Sequence, residues 1–332
     1  MLDDAHRIRE VLTNAVAAAV MAPSSHNSQP WRFRIMGNRL DVLADGDRRL
    51  HVIDADGRQQ FQSVGCALFN ARIAVRAMGY TDIVTTVFCD RDEPGLVASL
   101  CIGPPHITTS EDHLLMQALP LRHTNRRAFL PRPVSLHDTD AMAEAATQEG
   151  ASFVRLDPEH KKQLAKIVEQ ADELQLGDPA FREELSKWLI TFGSRRKDGI
   201  PFVEKEYGSN MPFTLMHTLR SPGLGARFGS IEEVLVDGSP MVAVIGTRTD
   251  DRNAWIACGQ ALEAVLLHAT ARGLSAAFLN QALEIPEMRA RVVELVPSIG
   301  YPQMVLRMGV PAEPIHHPAP RRDLSDVLEI CS

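Results

Sequence analysis

The sequence lacks several features that would fix a function class at once. Its five cysteines are odd in number and form no C-x-x-C pair, which argues against a disulfide framework or a cysteine zinc site. The net charge of -7 provides no basic face for nucleic acid. The longest mostly apolar stretch, residues 11–22, is too short to span a bilayer. The acidic start lacks the basic-then-apolar order of a secretory signal, so we expect a cytoplasmic protein with neither membrane nor nucleic-acid partners.

Common catalytic and binding motifs are also missing. No G-x-S-x-G or H-E-x-x-H is present, so a hydrolase has no support. The glycines of residues 223–229 are spaced wrongly for a dinucleotide fingerprint, because the third comes one position late. The pair His316 and His317 has no carboxylate at ligand spacing, and we expect no metal site.

What is present is enough for a large core. With 332 residues and 45% hydrophobic side chains, the chain can form two domains or one fused pair. Alanine and valine runs predict a core-facing helix over residues 5–21, ended by Pro23. Apolar and basic residues alternate from Trp31, and a Gly-Asn turn follows, which predicts a hairpin over 31–44.

An internal repeat is the most informative pattern. One helical segment runs from Gly65 to Gly79 and another from Gly259 to Gly273, 14 positions in each case, and both carry G-x-A-L at their start. Each is followed by a candidate strand and Gly-x-Pro, with 12 more residues between helix and strand in the second copy. Chance similarity is the alternative, since alanine- and leucine-rich helices ending in glycine are common. The repeated order favours duplication.

The repeat predicts two unequal halves, residues 1–112 and 113–332. Within the second half, residues 157–240 have no counterpart in the first, and residues 200–229 are rich in Pro, Gly, Asn and Ser. Long segments of this kind are usually functional or disordered. We expect a lid-like excursion within 157–240.

Three short motifs are candidates for binding a polar ligand. Residues 22–31 place several hydrogen-bonding side chains between a helix and a strand. Residues 121–129 place two arginines four apart around a threonine, a spacing that suits a phosphate. Residues 320–327 begin with two arginines. Each alone has an ordinary alternative, namely a capped turn, a solvated basic run and a helix start.

Together these motifs resemble the nitroreductase superfamily over nearly the whole chain. The matching elements are the A-P-S-S-x-N-x-Q-P-W loop, the R-x-T-x-R run followed by phenylalanine, the G-x-A-L helix and the terminal R-x-x-L-x-x-V. The arrangement is most similar to the internally duplicated branch typified by the Acg proteins. The resemblance implies an α+β fold of two tandem halves, each a mainly antiparallel sheet flanked by helices, forming an intramolecular pseudo-dimer.

The resemblance also implies an FMN cofactor and its contacts. In ordinary members two subunits share each flavin; here the first half would contribute one side and the second half the other. The residues carried over are Pro23, Ser24, Ser25 and Asn27 lining the flavin, with Gln29 supporting the loop; Arg122, Thr124, Arg126 and Arg321 holding the phosphate and ribityl chain; and Leu279 and Asn280, loosely matched to the segment beside flavin N5.

Each of the two principal motifs occurs once, and this has a consequence for stoichiometry. No arginine-serine/threonine-arginine run precedes Ala22, and no second P-S-S-x-N loop follows residue 130. We therefore expect one flavin per chain and a monomer. Family members commonly have a lysine where Ala319 stands, and no other lysine is identified for the N1/O2 edge of the flavin. The sequence therefore supports a prediction of FMN binding more strongly than a prediction of catalytic turnover.

Three functions remain open at this stage. The first is an FMN-dependent oxidoreductase that passes a hydride from NAD(P)H to a small acceptor, with the flavin itself as the reacting group. The second is a protein that stores FMN beneath a lid, for which several aromatic residues are available: Trp188, Phe192, Phe202, Tyr207, Phe213 and Phe228. The third is a flavin-free interaction protein that kept only the scaffold.

Overall fold

The structure is a computed structural model that describes residues 2–86, 93, 95–190, 194–201, 235–313 and 319–331. Of the expected excursion, residues 157–190, 194–201 and 235–240 are described, and the first of these ranges is mostly helical. Of its aromatic residues, Trp188 is described, whereas Phe192, Phe202, Tyr207, Phe213 and Phe228 lie outside the described residues. The glycines of 223–229 and the pair His316 and His317 also lie outside them.

The helices begin at the capping signals that the sequence provides. The expected helix over 5–21 is confirmed as α1, Leu2–Ala19. Asp157 and Asp178 each accept backbone N–H groups at a helix start that has proline in its first turn. The other helices are α2 Arg58–Ala77, α3 Ser110–Ala118, α4 Leu136–Gln148, α5 Pro158–Gly177, α6 Pro179–Trp188, α7 Arg252–Ala271, α8 Gln281–Glu284, α9 Pro286–Leu295 and α10 Leu324–Val327.

A five-stranded sheet holds the predicted hairpin. Its strands are β1 Trp31–Met36, β2 Arg39–Ala44, β3 Tyr80–Thr86, β4 Leu96–Pro105 and β11 Leu328–Cys331, in the order β11-β1-β2-β4-β3. β1 and β2 pair antiparallel from Trp31 opposite Ala44 to Met36 opposite Arg39, so the hairpin is confirmed. The alternation buries Trp31, Phe33 and Ile35 on one face.

A four-stranded antiparallel sheet lies in the later part of the chain. Its strands are β5 Ser152–Arg155, β8 Met241–Thr247, β9 Ser275–Phe278 and β10 Tyr301–Gly309, in the order β5-β8-β10-β9. Every residue of β8 is buried, which agrees with its unbroken apolar sequence. A short parallel pair, β6 Leu189–Ile190 and β7 Ile200–Pro201, lies within the excursion.

The two repeat helices, α2 and α7, cross in the main core at their repeat glycines. A Cβ on Gly65 would lie 2.4 Å from the carbonyl oxygen of Ile256, and one on Gly259 would lie 2.1 Å from that of Gln62. The contacts are reciprocal, because Gln62 and Ile256 each precede a repeat glycine by three positions. The backbones approach too closely for any side chain at either glycine.

The C-terminal end of the chain returns to the first sheet. β11 pairs parallel with β1, from Phe33 opposite Leu328 to Met36 opposite Cys331. This pairing joins a strand of the segment 113–332 to the sheet of the segment 1–112, and it brings residues 319–323 beside the loop that follows α1. No helix in the described ranges has the length and apolar character needed to cross a membrane.

Candidate functional site

The loop after α1 has a strained backbone. His26, Asn27 and Gln29 have φ values of 53°, 51° and 50°, in the left-handed region that residues other than glycine rarely adopt. Local hydrogen bonds hold the conformation: the Asn27 N–H donates to the Ser24 carbonyl at 2.9 Å, and the Gln29 N–H donates to Ser24 Oγ at 2.9 Å. Strain of this kind persists only where the surroundings fix it, and it clusters at binding sites.

Two arginines that are distant in sequence meet at the start of this loop. Arg122 Nη2 donates to the Met21 carbonyl at 3.2 Å, and Arg321 Nη2 donates to the same carbonyl at 3.1 Å. Arg321 Nη1 also donates to Asn27 Oδ1 at 3.2 Å. The carbonyl at the C-terminal end of α1 carries partial negative charge, which favours guanidinium groups there.

A buried carboxylate that the motifs did not predict accompanies the arginines. Glu263 of α7 is fully buried, and its Oε1 lies 3.6 Å from Nε of Arg122, which is also buried. Burial raises the pKa of Glu263, and the charge of Arg122 opposes that rise. Burial lowers the pKa of Arg321 to about 9, and the charge of Arg122 adds to the decrease. Two guanidinium groups thus face one carboxylate.

Several buried polar atoms of this cluster lack a hydrogen-bond partner among the described residues. They are His26 Nε2, Arg122 Nε, Arg321 Nε and both carboxylate oxygens of Glu263. Leaving a buried polar group unpaired costs about 1–3 kcal/mol. Arg122 Nε faces the Glu263 carboxylate, whereas Arg321 Nε is left as a donor that an acceptor oxygen of an anionic group would fit.

The loop and the basic run are close enough to interact electrostatically. Burial, and after it the charge of Arg126, lowers the pKa of His26 from 6.5 to about 4. The run itself is held by the second sheet, since the Asn125 N–H donates to the Ala276 carbonyl at 2.9 Å and Thr124 bridges the same residue. The Arg126 side chain is left exposed.

Arg307 anchors the basic run from β10. Its Nη2 donates to the Arg126 carbonyl at 2.8 Å and its Nη1 to the Arg127 carbonyl at 3.0 Å, while the guanidinium lies 5.1 Å from the centre of the Phe129 ring. The signal for this role is in the sequence, because Arg307 is the only charged residue of β10 and its immediate neighbours in the strand are apolar. A buried charge in such a strand requires partners.

Asn27 and Gln29 connect the loop to two other segments. Asn27 Nδ2 donates to the carbonyls of Gly199 and Pro320, each at 3.0 Å. Gln29 Nε2 donates to the Lys197 carbonyl at 2.7 Å, and its Oε1 accepts from the N–H of Arg322 at 2.8 Å. We call these four hydrogen bonds the clasp. It fixes residues 197–199 of the excursion and residues 320–322 of the C-terminal segment against the loop.

Ser25 begins a chain of side-chain hydrogen bonds that ends at α5. Its hydroxyl donates to Gln59 Oε1. Gln59 Nε2 donates to Glu284 Oε1 at 2.8 Å, and Gln175 Nε2 donates to Glu284 Oε2 at 2.6 Å. Burial raises the pKa of Glu284, whereas both amides and the charge of Arg58 oppose the rise. Gln59, Gln175 and Glu284 were not anticipated from the sequence.

Other expected site residues are placed differently. Pro23 is buried at the start of the loop. The Leu279 side chain is wholly buried in an apolar cluster around α5, and its N–H donates to the Val305 carbonyl at 2.9 Å. The side chain of Asn280 contacts β10, donating to Met304 Sδ at 3.1 Å and accepting from the Val305 N–H at 3.2 Å. The structure therefore brings the loop, the basic run and Arg321 together, but not the side chain of Leu279.

Comparisons with known proteins identify the family. "Putative NAD(P)H nitroreductase Rv3131" of Mycobacterium tuberculosis is 34% identical over 332 residues, covering 98% of this chain and 92% of the relative. "Putative NAD(P)H nitroreductase acg" of the same organism is 30% identical over 336 residues, covering 97% and 96%. The chain belongs to the Acg-like branch of the nitroreductase superfamily. The expected membership is thus confirmed, and the helices and mainly antiparallel sheets agree with the expected α+β class.

The family models and the solved structures are less similar to this chain than these relatives are. No family model matches this Acg-like chain. A solved nitroreductase with bound FMN from Bacteroides fragilis is 16% identical, with a TM-score of 0.40, over 63% of this chain and 94% of its own. A nitroreductase-like family protein from Bacillus cereus is 15% identical, with a TM-score of 0.40, over 69% and 99%.

Proposed function

We propose that this chain binds one FMN between the loop 23–29 and the basic run 122–126, and that it is an NAD(P)H-dependent oxidoreductase. The observation that carries the proposal is the convergence of Arg122 and Arg321 on the loop, where the buried Arg321 Nε has no hydrogen-bond partner among the described residues. A phosphate dianion matches that excess of positive charge, and each well-formed charge-assisted hydrogen bond contributes roughly 1.5–3 kcal/mol.

The residues present fit the cofactor in separate roles. Arg122, Arg126 and Arg321 would hold the phosphate, and Ser24 and Ser25 would meet polar groups of the flavin. Glu263 would keep Arg122 oriented while limiting the local charge. When bound, FMN would supply hydride transfer from NAD(P)H to an acceptor such as a nitroaromatic or a quinone.

The reciprocal crossing of α2 and α7 supports an internal pseudo-dimer as the framework of the site. Equivalent positions of the two repeats contact each other, as self-complementary interfaces require. In this arrangement the loop comes from the half 1–112, and Arg122, Arg126 and Arg321 come from the half 113–332. One chain would supply both sides of a single site.

The clasp favours a second candidate, an FMN-storing protein. Asn27 and Gln29 hold residues 197–199 of the excursion directly on the loop. Arg48 adds an ion pair at 2.9 Å between its Nη1 and Asp198 Oδ2. A segment fixed beside the cofactor would restrict access of nicotinamide or a nitro compound to the flavin and slow turnover.

The cofactor assignment is tested with Arg126→Ala. Arg126 is exposed, so its removal deletes a phosphate contact with little effect on the fold; Arg122→Ala is a poorer probe because it leaves buried Glu263 unpaired. We expect Arg126→Ala to weaken FMN binding roughly tenfold or more. Arg195→Ala, which removes an exposed arginine of the excursion, is the matched control and should bind FMN normally. Equal FMN affinities in a fluorescence titration of the two variants would exclude this phosphate site.

Turnover separates the two candidate functions. Acceptor-dependent oxidation of NADPH or NADH by the FMN-loaded protein supports the reductase. Flavin that is retained tightly, is photoreduced and is then reoxidised slowly by added acceptors supports storage. A colourless protein that binds no FMN would contradict both.

A further inference from the structure

The hydroxyls of Ser24 and Ser25 have opposite hydrogen-bond roles within the protein: the first accepts and the second donates. Ser24 Oγ accepts from the Gln29 N–H at 2.9 Å, and in the described part of the chain its own proton meets no acceptor. The hydroxyl of Ser25 donates its proton to Gln59 Oε1. A hydroxyl has one proton and can accept with its remaining lone pairs. Towards a ligand, Ser24 can therefore donate, whereas Ser25 can only accept.

The orientation of the Gln59 amide decides the role of Ser25. An amide presents either its oxygen or its NH₂ group, and Gln59 turns its Nε2 to Glu284 Oε1 at 2.8 Å. An ionised carboxylate accepts and never donates. The second oxygen of Glu284 accepts from Gln175 Nε2 at 2.6 Å, so both oxygens serve as acceptors for amide N–H groups. Glu284 thereby forces Gln59 to offer its oxygen to Ser25.

Packing holds this chain of hydrogen bonds in one arrangement. Gln59 is 3% exposed and Gln175 is 9% exposed, so water cannot easily replace either amide contact. Arg58 donates to the Leu283 carbonyl at 2.6 Å, which places a cation beside Glu284. The two glutamines come from α2 and α5, so the arrangement depends on the packing of separate helices.

We propose that Glu284 is a positioning residue which, through Gln59, sets Ser25 as a hydrogen-bond acceptor beside the donor Ser24. The loop would then select a ligand that presents an acceptor next to a donor, as neighbouring carbonyl and N–H groups of a flavin ring or hydroxyls of a ribityl chain do. This inference rests on the proposed FMN site. The inference adds that Gln59 and Glu284, which do not contact the ligand, determine whether the loop donates or accepts a hydrogen bond at Ser25.

A double-mutant cycle on FMN affinity tests the proposal, with fluorescence titration as the readout. We expect Gln59→Leu and Glu284→Met each to weaken FMN binding about fivefold when Ser25 is present, and less than twofold in a Ser25→Ala background. Glu284→Gln should lose at most about twofold, because its amide oxygen still accepts from Gln59. Loss in Glu284→Gln equal to that in Glu284→Met would overturn the proposal.

Two control variants separate an effect on the hydrogen bonds from Ser25 to Gln175 from a general loss of stability. Gln60→Leu removes a neighbouring buried amide, which bonds the Asp45 carbonyl at 2.7 Å, and its effect should be the same with and without Ser25. Ser24→Ala should likewise be additive with Gln59→Leu. If Glu284→Met does not fold, the cycle of Gln59→Leu with Ser25→Ala decides. If the wild-type protein binds FMN but the variants in the cycle have additive effects, only the positioning role of Glu284 is overturned. If the wild-type protein does not bind FMN, the proposed function is overturned.

Discussion

His26 shows how a single residue is tuned by its position. It lies in the strained loop, and its Nε2 is buried without a partner among the described residues. Burial and the charge of Arg126 lower its pKa from 6.5 to about 4. The neutral imidazole is therefore favoured in the folded protein. A neutral side chain there also avoids a further positive charge beside the arginines.

The pH dependence of stability follows from this decrease in pKa. Between pH 6.5 and about 4 the unfolded chain binds a proton at His26 that the folded protein does not, so the free energy of unfolding should fall as the pH falls. We expect His26→Asn, which tolerates the left-handed backbone, to have a shallower decrease over this range in thermal melts. The exposed His113→Asn is the control and should follow the wild type. Identical slopes for wild type and His26→Asn would contradict the assignment.

At the scale of elements, α2 and α7 cross with their backbones in close contact at Gly65 and Gly259. The helices carry a G-x-A-L sequence each, and only the glycine of each permits the contact. The contact is reciprocal, since the glycine of each helix faces the backbone of the other helix.

Substitution of either crossing glycine should separate the helices. We expect Gly65→Ala and Gly259→Ala each to lower the free energy of unfolding by about 3 kcal/mol, because the new Cβ overlaps a carbonyl oxygen. Gly177→Ala is the matched control at the end of α5, where an added Cβ meets nothing within 4 Å. Urea denaturation measures all three. Wild-type stability in either crossing variant would show that the helices do not meet there.

At the scale of the whole molecule, the proposed site depends on segments from both ends of the chain. The pairing of β11 with β1 brings Arg321 to the loop, while the second sheet holds the basic run. The described residues of the proposed site thus come from distant parts of one chain.

We expect a monomer of 36.6 kDa that binds one FMN. Light scattering after gel filtration gives the mass, and flavin absorbance against protein concentration gives the stoichiometry. Two flavins per chain would contradict the single asymmetric site. Loss of FMN when a dimer is diluted to monomer would show that a second chain completes the site.

Local patterns in the sequence determined the local structure. Alternation predicts the hairpin at 31–44, and alanine-rich runs predict α1 and the two repeat helices. The loop could be selected as a candidate because its side chains suit a polar ligand, and the basic run because its arginines suit a phosphate. The sequence also indicates that Arg307 and Glu263 are buried charges that need partners, since each is the only charged residue among apolar neighbours.

Only the tertiary structure decided which of these segments meet and what each polar group bonds. The clasp joins Gln29 to Lys197 and to Arg322, and the chain from Ser25 ends at Gln175. These partners are far apart in sequence and have no common spacing, so no periodicity reports them. Hydrogen bonding and burial act between neighbours in space, and it is the packing of helices and sheets that makes distant residues neighbours.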